Sequence, residues 1–448
     1  MKKQSYLKKA MRISVIEGIY AQLYATLTAI GSNFITKAAV VLNASPIHFS
    51  LLSGIAQLCQ LFQLYAVVHN RKVTSRKKPC VWFAFWGRLL SALLGFCFVI
   101  INPTLAFFAF FTILLISASL LTISSNMWTA WMSDLIPKSM RGRFFSQRMQ
   151  IHMICGFLIG YIFSFFIDLF EAIPGTWRYN LIESLNLDFV FKPSNLPIGL
   201  SFVFIIGTAL GLYGLRLLQK QPERQIFPIN QSTDFSIFEP LKNKDFRRLL
   251  TFGMWWMFAV GVGAPFWGPF MISTLNMSLV EMQIYSMLQA VGMLISFRFW
   301  GKFIDKFGNK TAMKICVFLG TLNPLVWVFF TENNYSLIWV EGVTSGIMWS
   351  GANLIAFNFV LAISPRGKEQ HWSAIYASCG SFMMLTSILL SGILFPPKVV
   401  MGNIVLLPEQ VLFALTGILR LSAEIPLHYV NEQKSVPLMK MLLKRQTK

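Results

Sequence analysis

Two acids lie inside apolar runs where ionised groups are costly. Glu17 shares a helical face with Tyr20, Tyr24 and Thr28 at spacings of three and four. Glu341 shares one with Ser345 and Trp349. A charged residue in a membrane span costs about 2.5–3.5 kcal/mol on insertion scales, so such acids are candidates for proton relay or solute binding. Each also has a plain reading: Glu17 snorkelling or pairing with tail lysines, Glu341 near an outer helix end. Gln57, Gln60 and Gln63 repeat at triplet spacing, while Trp255 and Trp256 precede the breakable stretch Gly261-Val262-Gly263-Ala264-Pro265. These aromatics and amides suit packing as well as a polar solute. Arg88 is embedded too, and Arg420 and Glu424 stand four apart, able to neutralise each other on one helix face.

Other chemistries find no support. The five histidines (His48, His69, His152, His371, His428) are scattered, without metal spacing or a partner acid, so no metal site is expected. The six cysteines lie in or beside apolar runs and read as small buried hydrophobes. No GxxxxGK[ST] loop is present, so neither a nucleotide nor any other cofactor is expected.

The elements that position these residues follow from composition. The chain has 448 residues, 55% hydrophobic and 13% charged, against about 25% charged in soluble domains. An integral membrane protein is implied. Twelve runs are long enough to cross a bilayer as helices: 12–35, 47–69, 79–101, 104–127, 149–170, 197–218, 248–272, 282–300, 312–330, 336–362, 372–394 and 409–430. With both termini cytoplasmic, inner loops and tails hold 29 Lys and Arg, against four outside (Lys37, Arg178, Lys192, Lys398). The net charge of +21 therefore belongs to one membrane face. It points to anionic headgroups of membrane lipids rather than nucleic acid. The polar, proline-punctuated stretch 219–247 divides the chain into 1–218 and 248–430, with a basic tail at 431–448.

Between spans 8 and 9 stands Gly301-Lys302-Phe303-Ile304-Asp305-Lys306-Phe307-Gly308-Asn309-Lys310, a GxxxDxxGxK pattern. Gly301 would allow close helix approach and Gly308 a positive φ. After span 4 the chain runs from Asn126 through Asp134 and Pro137 to Arg141-Gly142-Arg143. After span 10 a related cadence runs from Asn353 to Pro365-Arg366-Gly367. These loops resemble the signatures of the major facilitator superfamily, in topology over essentially the whole chain and in motif over two loop regions. The related cadences suggest duplicated parallel halves. Loop 2–3, 69–78, keeps basic residues but lacks the glycines and the aspartate, a departure from the family pattern in the N-terminal half.

The resemblance implies an all-α membrane protein of two six-helix bundles, with spans 1, 4, 7 and 10 lining a central cavity. It implies that Asp305 reaches a helix N-terminus in the other half, with Lys306 and Lys310 at the cytoplasmic face. Asp134 and Arg141 would pair across their loop, with Arg143 and Arg366 beside them at the gate. Glu17, Tyr20, Tyr24, Gln57, Gln60, Trp255, Trp256, Glu341 and Trp349 become candidates for solute or proton handling. Arg88, Arg420 and Glu424 fall on peripheral helices, where a structural role is expected. Arginines occur only at the starts of spans 1 and 7 (Arg12, Arg247, Arg248), which disfavours a polyanion. The drug/proton antiporter pattern of span 5 is missing; only Gly156 and Gly160 stand there.

The reading is secondary transport of a small organic solute, neutral or cationic, by alternating access; if transport is proton-driven, Glu17 or Glu341 is the coupling element. The expected setting is a multi-pass cell membrane, the inner membrane if the source is bacterial, and the expected state is a monomer. A non-transporting sensor or scaffold on the same fold is the first alternative. A polytopic membrane enzyme is the second, weakened because no catalytic His or Asp cluster is found.

Overall fold

The computed structural model describes residues 2–69, 75–223, 239–365, 368–402 and 404–432. Loop 2–3 and the 219–247 stretch fall partly outside these residues, as do the Arg366-Gly367 dipeptide and most of the tail. A helix stands at each of the twelve expected positions. They are α1 (Lys2–Thr28), α2 (Pro46–His69), α3 (Lys77–Leu90), α4 (Pro103–Leu135), α5 (Lys138–Asp168) and α6 (Leu196–Leu218), then α7 (Lys244–Gly263), α8 (Leu279–Phe307), α9 (Asn309–Trp327), α10 (Ile338–Ile363), α11 (Glu369–Ile393) and α12 (Pro408–Ser422). Among the described residues, ten helical stretches are long and apolar enough to cross a membrane. The other two positions are α2, of 24 residues, and α9, of 19. Helix satisfies every backbone group internally, which lipid demands. Large apolar side chains such as Phe96, Ile295, Phe329 and Ile425 point outward accordingly.

Several spans are interrupted where the sequence cannot continue a helix. Span 1 stops at Thr28, turns through Gly31 (φ 84°) and resumes at Asn33–Val41, capped by Ser32. Span 7 stops before Pro265 and resumes at Trp267–Ser273. Span 12 stops at Ser422 and resumes at Glu424–His428. The described strands are a hairpin, β1 (Val399–Met401) against β2 (Ile404–Leu406).

The chain divides into two compact units. Unit 1 comprises Met1–His48, Cys59–Gln231 and Met277–Gln283; unit 2 comprises Phe49–Leu58, Ser232–Asn276 and Ile284–Lys448.

Within unit 1, α1 lies against glycines of α6. A Cβ on Gly211 would stand 2.8 Å from Tyr24 Cδ2, and one on Gly214 2.7 Å from Tyr20 Cβ, so larger residues would push the helices apart. A buried cluster centred on Trp131, Met132 and Phe144 joins α3, α4, α5 and α6. Asp168 ends α5 and accepts from the Leu279 and Val280 N–H groups at 2.8 and 3.0 Å. A carboxylate there meets the partial positive charge of a helix N-terminus. This cap gives residues 277–283 partners inside unit 1.

Within unit 2, α7 packs along α11 and α12, and α9 along α10 and α12. Its core includes Phe246, Phe252, Trp256, Trp300, Met348 and Trp372.

Candidate functional site

The site begins with one missing hydrogen bond. Pro324 sits inside α9 and has no N–H, so the Gly320 carbonyl one turn earlier loses its helical partner. Arg420 of α12 supplies the replacement, donating from Nη1 at 3.0 Å. Arg420 is 4% exposed. It lies over the rings of Trp256 and Trp349, 5.8 and 5.9 Å from their centroids, within cation–π range.

Around it is a cavity of about 470 Å³ inside unit 2, a volume typical of small-molecule sites. Helix α10 contributes Glu341, Ser345 and Trp349 from one face, as their four-residue spacing requires. Glu341 accepts from the Tyr285 hydroxyl of α8 at 2.8 Å, and Gln289 donates to Ser345 Oγ at 3.1 Å. Trp267 and Trp327 form an aromatic wall, ring centroids 4.8 Å apart. The cavity thus combines an acid, a guanidinium, neutral hydrogen-bonding groups and flat apolar surfaces.

The remaining candidates lie elsewhere. Trp256 is buried against Gly320 at the cavity's edge, while Trp255 turns the other way, half exposed, its Nε1 on Ser422 Oγ at 2.9 Å. Gln57 is half-buried and Gln60 exposed on α2, and neither lines this cavity. In unit 1, Glu17 forms an ion pair with Arg88 Nη2 at 3.2 Å, and Arg88 Nη1 donates to the Gly211 carbonyl at 2.5 Å. Among the described residues, Arg88 is the ion-pair partner of Glu17. Tyr24 is buried with its hydroxyl 2.6 Å from Ser91 Oγ, and Tyr20 meets Tyr213 edge-on at 4.9 Å.

The loop residues also find partners that spacing did not foretell. Gly308 has φ +87°, but among the described residues nothing approaches within 4 Å of a Cβ at Gly301, so none of them makes a close helix contact there. Asp305 and Lys306 are exposed at the end of α8, and Lys306 lies 5.2 Å from the Phe307 ring centroid. Asp134 meets Arg76 at 2.7 Å; Arg141, expected to face it, donates to the Ser133 and Ile136 carbonyls, and Arg143 is exposed. Arg366 lies outside the described residues. Arg420 and Glu424 do not neutralise each other: the helix between them breaks, and Glu424 meets Lys314 at 3.8 Å. Arg420 is a cavity residue, not a peripheral brace.

Two carboxylates missed in the sequence cap helices in the same way. In unit 2, Glu432 accepts from the Asn309 and Lys310 N–H groups at 2.9 and 2.7 Å, and Lys310 Nζ donates to the Val430 carbonyl at 2.9 Å. In unit 1, Glu223 accepts from the Arg76 and Lys77 N–H groups at 2.6 and 2.9 Å, and Lys77 Nζ donates to the Gln221 carbonyl at 3.0 Å. Each acid follows the last helix of its half by a few residues. Each fixes the N-terminus of that half's third helix. Outside the spans, Lys368 meets Glu239 at 2.5 Å and holds its carboxyl below the ordinary glutamate range.

A family model described as Major Facilitator Superfamily matches residues 19–388. Among solved structures, a mutant form of the nucleoside transporter NupG superimposes with TM-score 0.67 at 12% identity, covering 95% of this chain and all of that one. A D-xylose-proton symporter gives 0.63 at 14%, covering 97% and 100%. A bacterial homologue of the iron transporter ferroportin, inward-facing, gives 0.62 at 12%, covering 95% and 98%. At such identities the likeness is one of fold. No curated protein matches the chain. Its helices and the reach of the family model make it a multi-pass membrane protein, a transporter rather than an enzyme. The chain belongs to the Major Facilitator Superfamily.

Proposed function

We propose that this protein is a secondary transporter that carries a small organic solute by alternating access, with the cavity of unit 2 as its binding site. The observation that carries the reading is the cavity itself: Glu341, Arg420, Tyr285 and three tryptophans converge on one space. Transporters of nucleosides and of D-xylose with protons share the fold, which supports a small polar cargo. Glu341 is the coupling group, because it faces the cavity while Glu17 is held by Arg88. Protonation would remove the only carboxylate that lines the cavity among the described residues.

Proteoliposomes test this with a labelled set of nucleosides, pentoses, amino acids and hydroxy acids, with and without an inward proton gradient. Saturable uptake above empty vesicles is expected, accelerated by the gradient in wild type and indifferent to it in Glu341→Gln. Saturable binding with no flux of any member would discard transport in favour of a sensor. Gradient-independent uptake by wild type would discard the coupling.

A further inference from the structure

We infer that the cavity selects a solute bearing a single carboxylate, which Arg420 grips, with an N–H or O–H donor at its other end for Glu341. This rests on the transport reading only in taking the unit 2 cavity as the solute site.

Arg420 is a buried charge that no described acid touches directly. Arg420 is 4% exposed and touches the Gly320 carbonyl and two ring faces. Its Nε has no hydrogen-bond partner among the described residues. No acid among them comes within 4 Å of it, although Glu341 lines the same cavity. A buried guanidinium is costly unless paired.

Unit 1 holds the same device in completed form. Arg88 donates to a helical carbonyl, that of Gly211, just as Arg420 donates to Gly320, but its second nitrogen reaches Glu17. Nε is unpartnered in both arginines. What differs is the acid's contact: Glu17 touches Arg88, whereas Glu341 faces Arg420 only across the cavity.

The chemistry of the missing partner follows. A carboxylate fits a guanidinium edge in a bidentate grip. A dianion is opposed by Glu341, which stands in the same space. A neutral sugar or nucleoside would leave Arg420 with no carboxylate in direct contact. The walls of Trp267, Trp327 and Trp349 suit a compact organic body between the two ends. Amino acids and hydroxy acids both fit; Glu341 discriminates between them.

The test is tryptophan fluorescence of the purified full chain. Amino acids and hydroxy acids are titrated beside their carboxamides, with D-xylose and uridine as neutral comparators. At least one acid should quench saturably, with its carboxamide weaker by about tenfold or more, the loss of one charge-assisted contact. Arg420→Gln should erase the acid-over-amide preference. Arg420→Lys, which keeps the cation and serves if the glutamine variant fails to fold, should weaken acid binding and leave the amides unchanged. Glu341→Gln should cost an amino acid more than a hydroxy acid. Binding by none of the acids, equal binding of acid and carboxamide, or acid binding indifferent to Arg420 in a folded variant would each overturn the inference. Acid binding without flux would sink the transport reading and leave this one standing. Flux of a neutral solute alone would do the reverse.

Discussion

Removing Glu17 should damage the protein more than removing Glu17 and Arg88 together. Their side chains are 4% and 8% exposed, with 3.2 Å between Arg88 Nη2 and Glu17 Oε1. Breaking a buried pair by deleting one partner costs about 3–5 kcal/mol, because the survivor's charge stays buried, whereas replacing both with apolar groups is often neutral. Glu17→Gln keeps the shape and one acceptor, and Arg88 retains the Gly211 carbonyl and the Tyr24 ring face at 5.7 Å. The low end, about 3 kcal/mol, is therefore expected. Arg88→Met should cost about as much by stranding Glu17. The double variant should recover to within about 1 kcal/mol of wild type, a strongly non-additive cycle. Reversible unfolding in mixed micelles, followed by tryptophan fluorescence, measures all four corners. Additivity within about 0.5 kcal/mol would show that the two charges are not coupled, and the assignment of Glu17 to Arg88 would fall.

Two further outcomes are expected. Glu432→Ala should destabilise by about 1–2 kcal/mol through loss of the α9 cap, with Glu432→Gln recovering part of it and faster hydrogen exchange confined to the Asn309 and Lys310 amides; Glu223→Ala should do the same to α3. Pro324→Ala supplies an N–H to the Gly320 carbonyl and displaces Arg420 from it, so affinity for a carboxylate solute should fall while the melting temperature holds or rises. Unchanged affinity in that variant would show that Arg420 is not positioned by the proline.

The helices were legible because a bilayer-length apolar run has few alternatives in lipid. The break in span 7 was legible because Pro265 cannot continue a helix. The Glu341, Ser345 and Trp349 face followed from helical spacing alone. Arg420 was misread because a four-residue spacing implies a neighbour only while the helix is intact, and this one stops at Ser422. Its true partner is chosen by a proline on another helix, a relation between elements distant in sequence. The paired caps were hidden for a related reason. Loop 2–3 looked degenerate when compared by its glycines and aspartate, yet Lys77 makes the contacts of Lys310, and the acid that completes each motif lies more than a hundred residues downstream.

The Glu432 cap has a practical consequence for anyone trimming or tagging this protein. A version cut at Tyr429, just past the final helical turn, would look harmless on a hydropathy plot. It would nevertheless strip the amides of Asn309 and Lys310 of their acceptor and leave Lys310 Nζ without the Val430 carbonyl. Fusions and protease sites belong after Glu432, because the fold uses the chain that far.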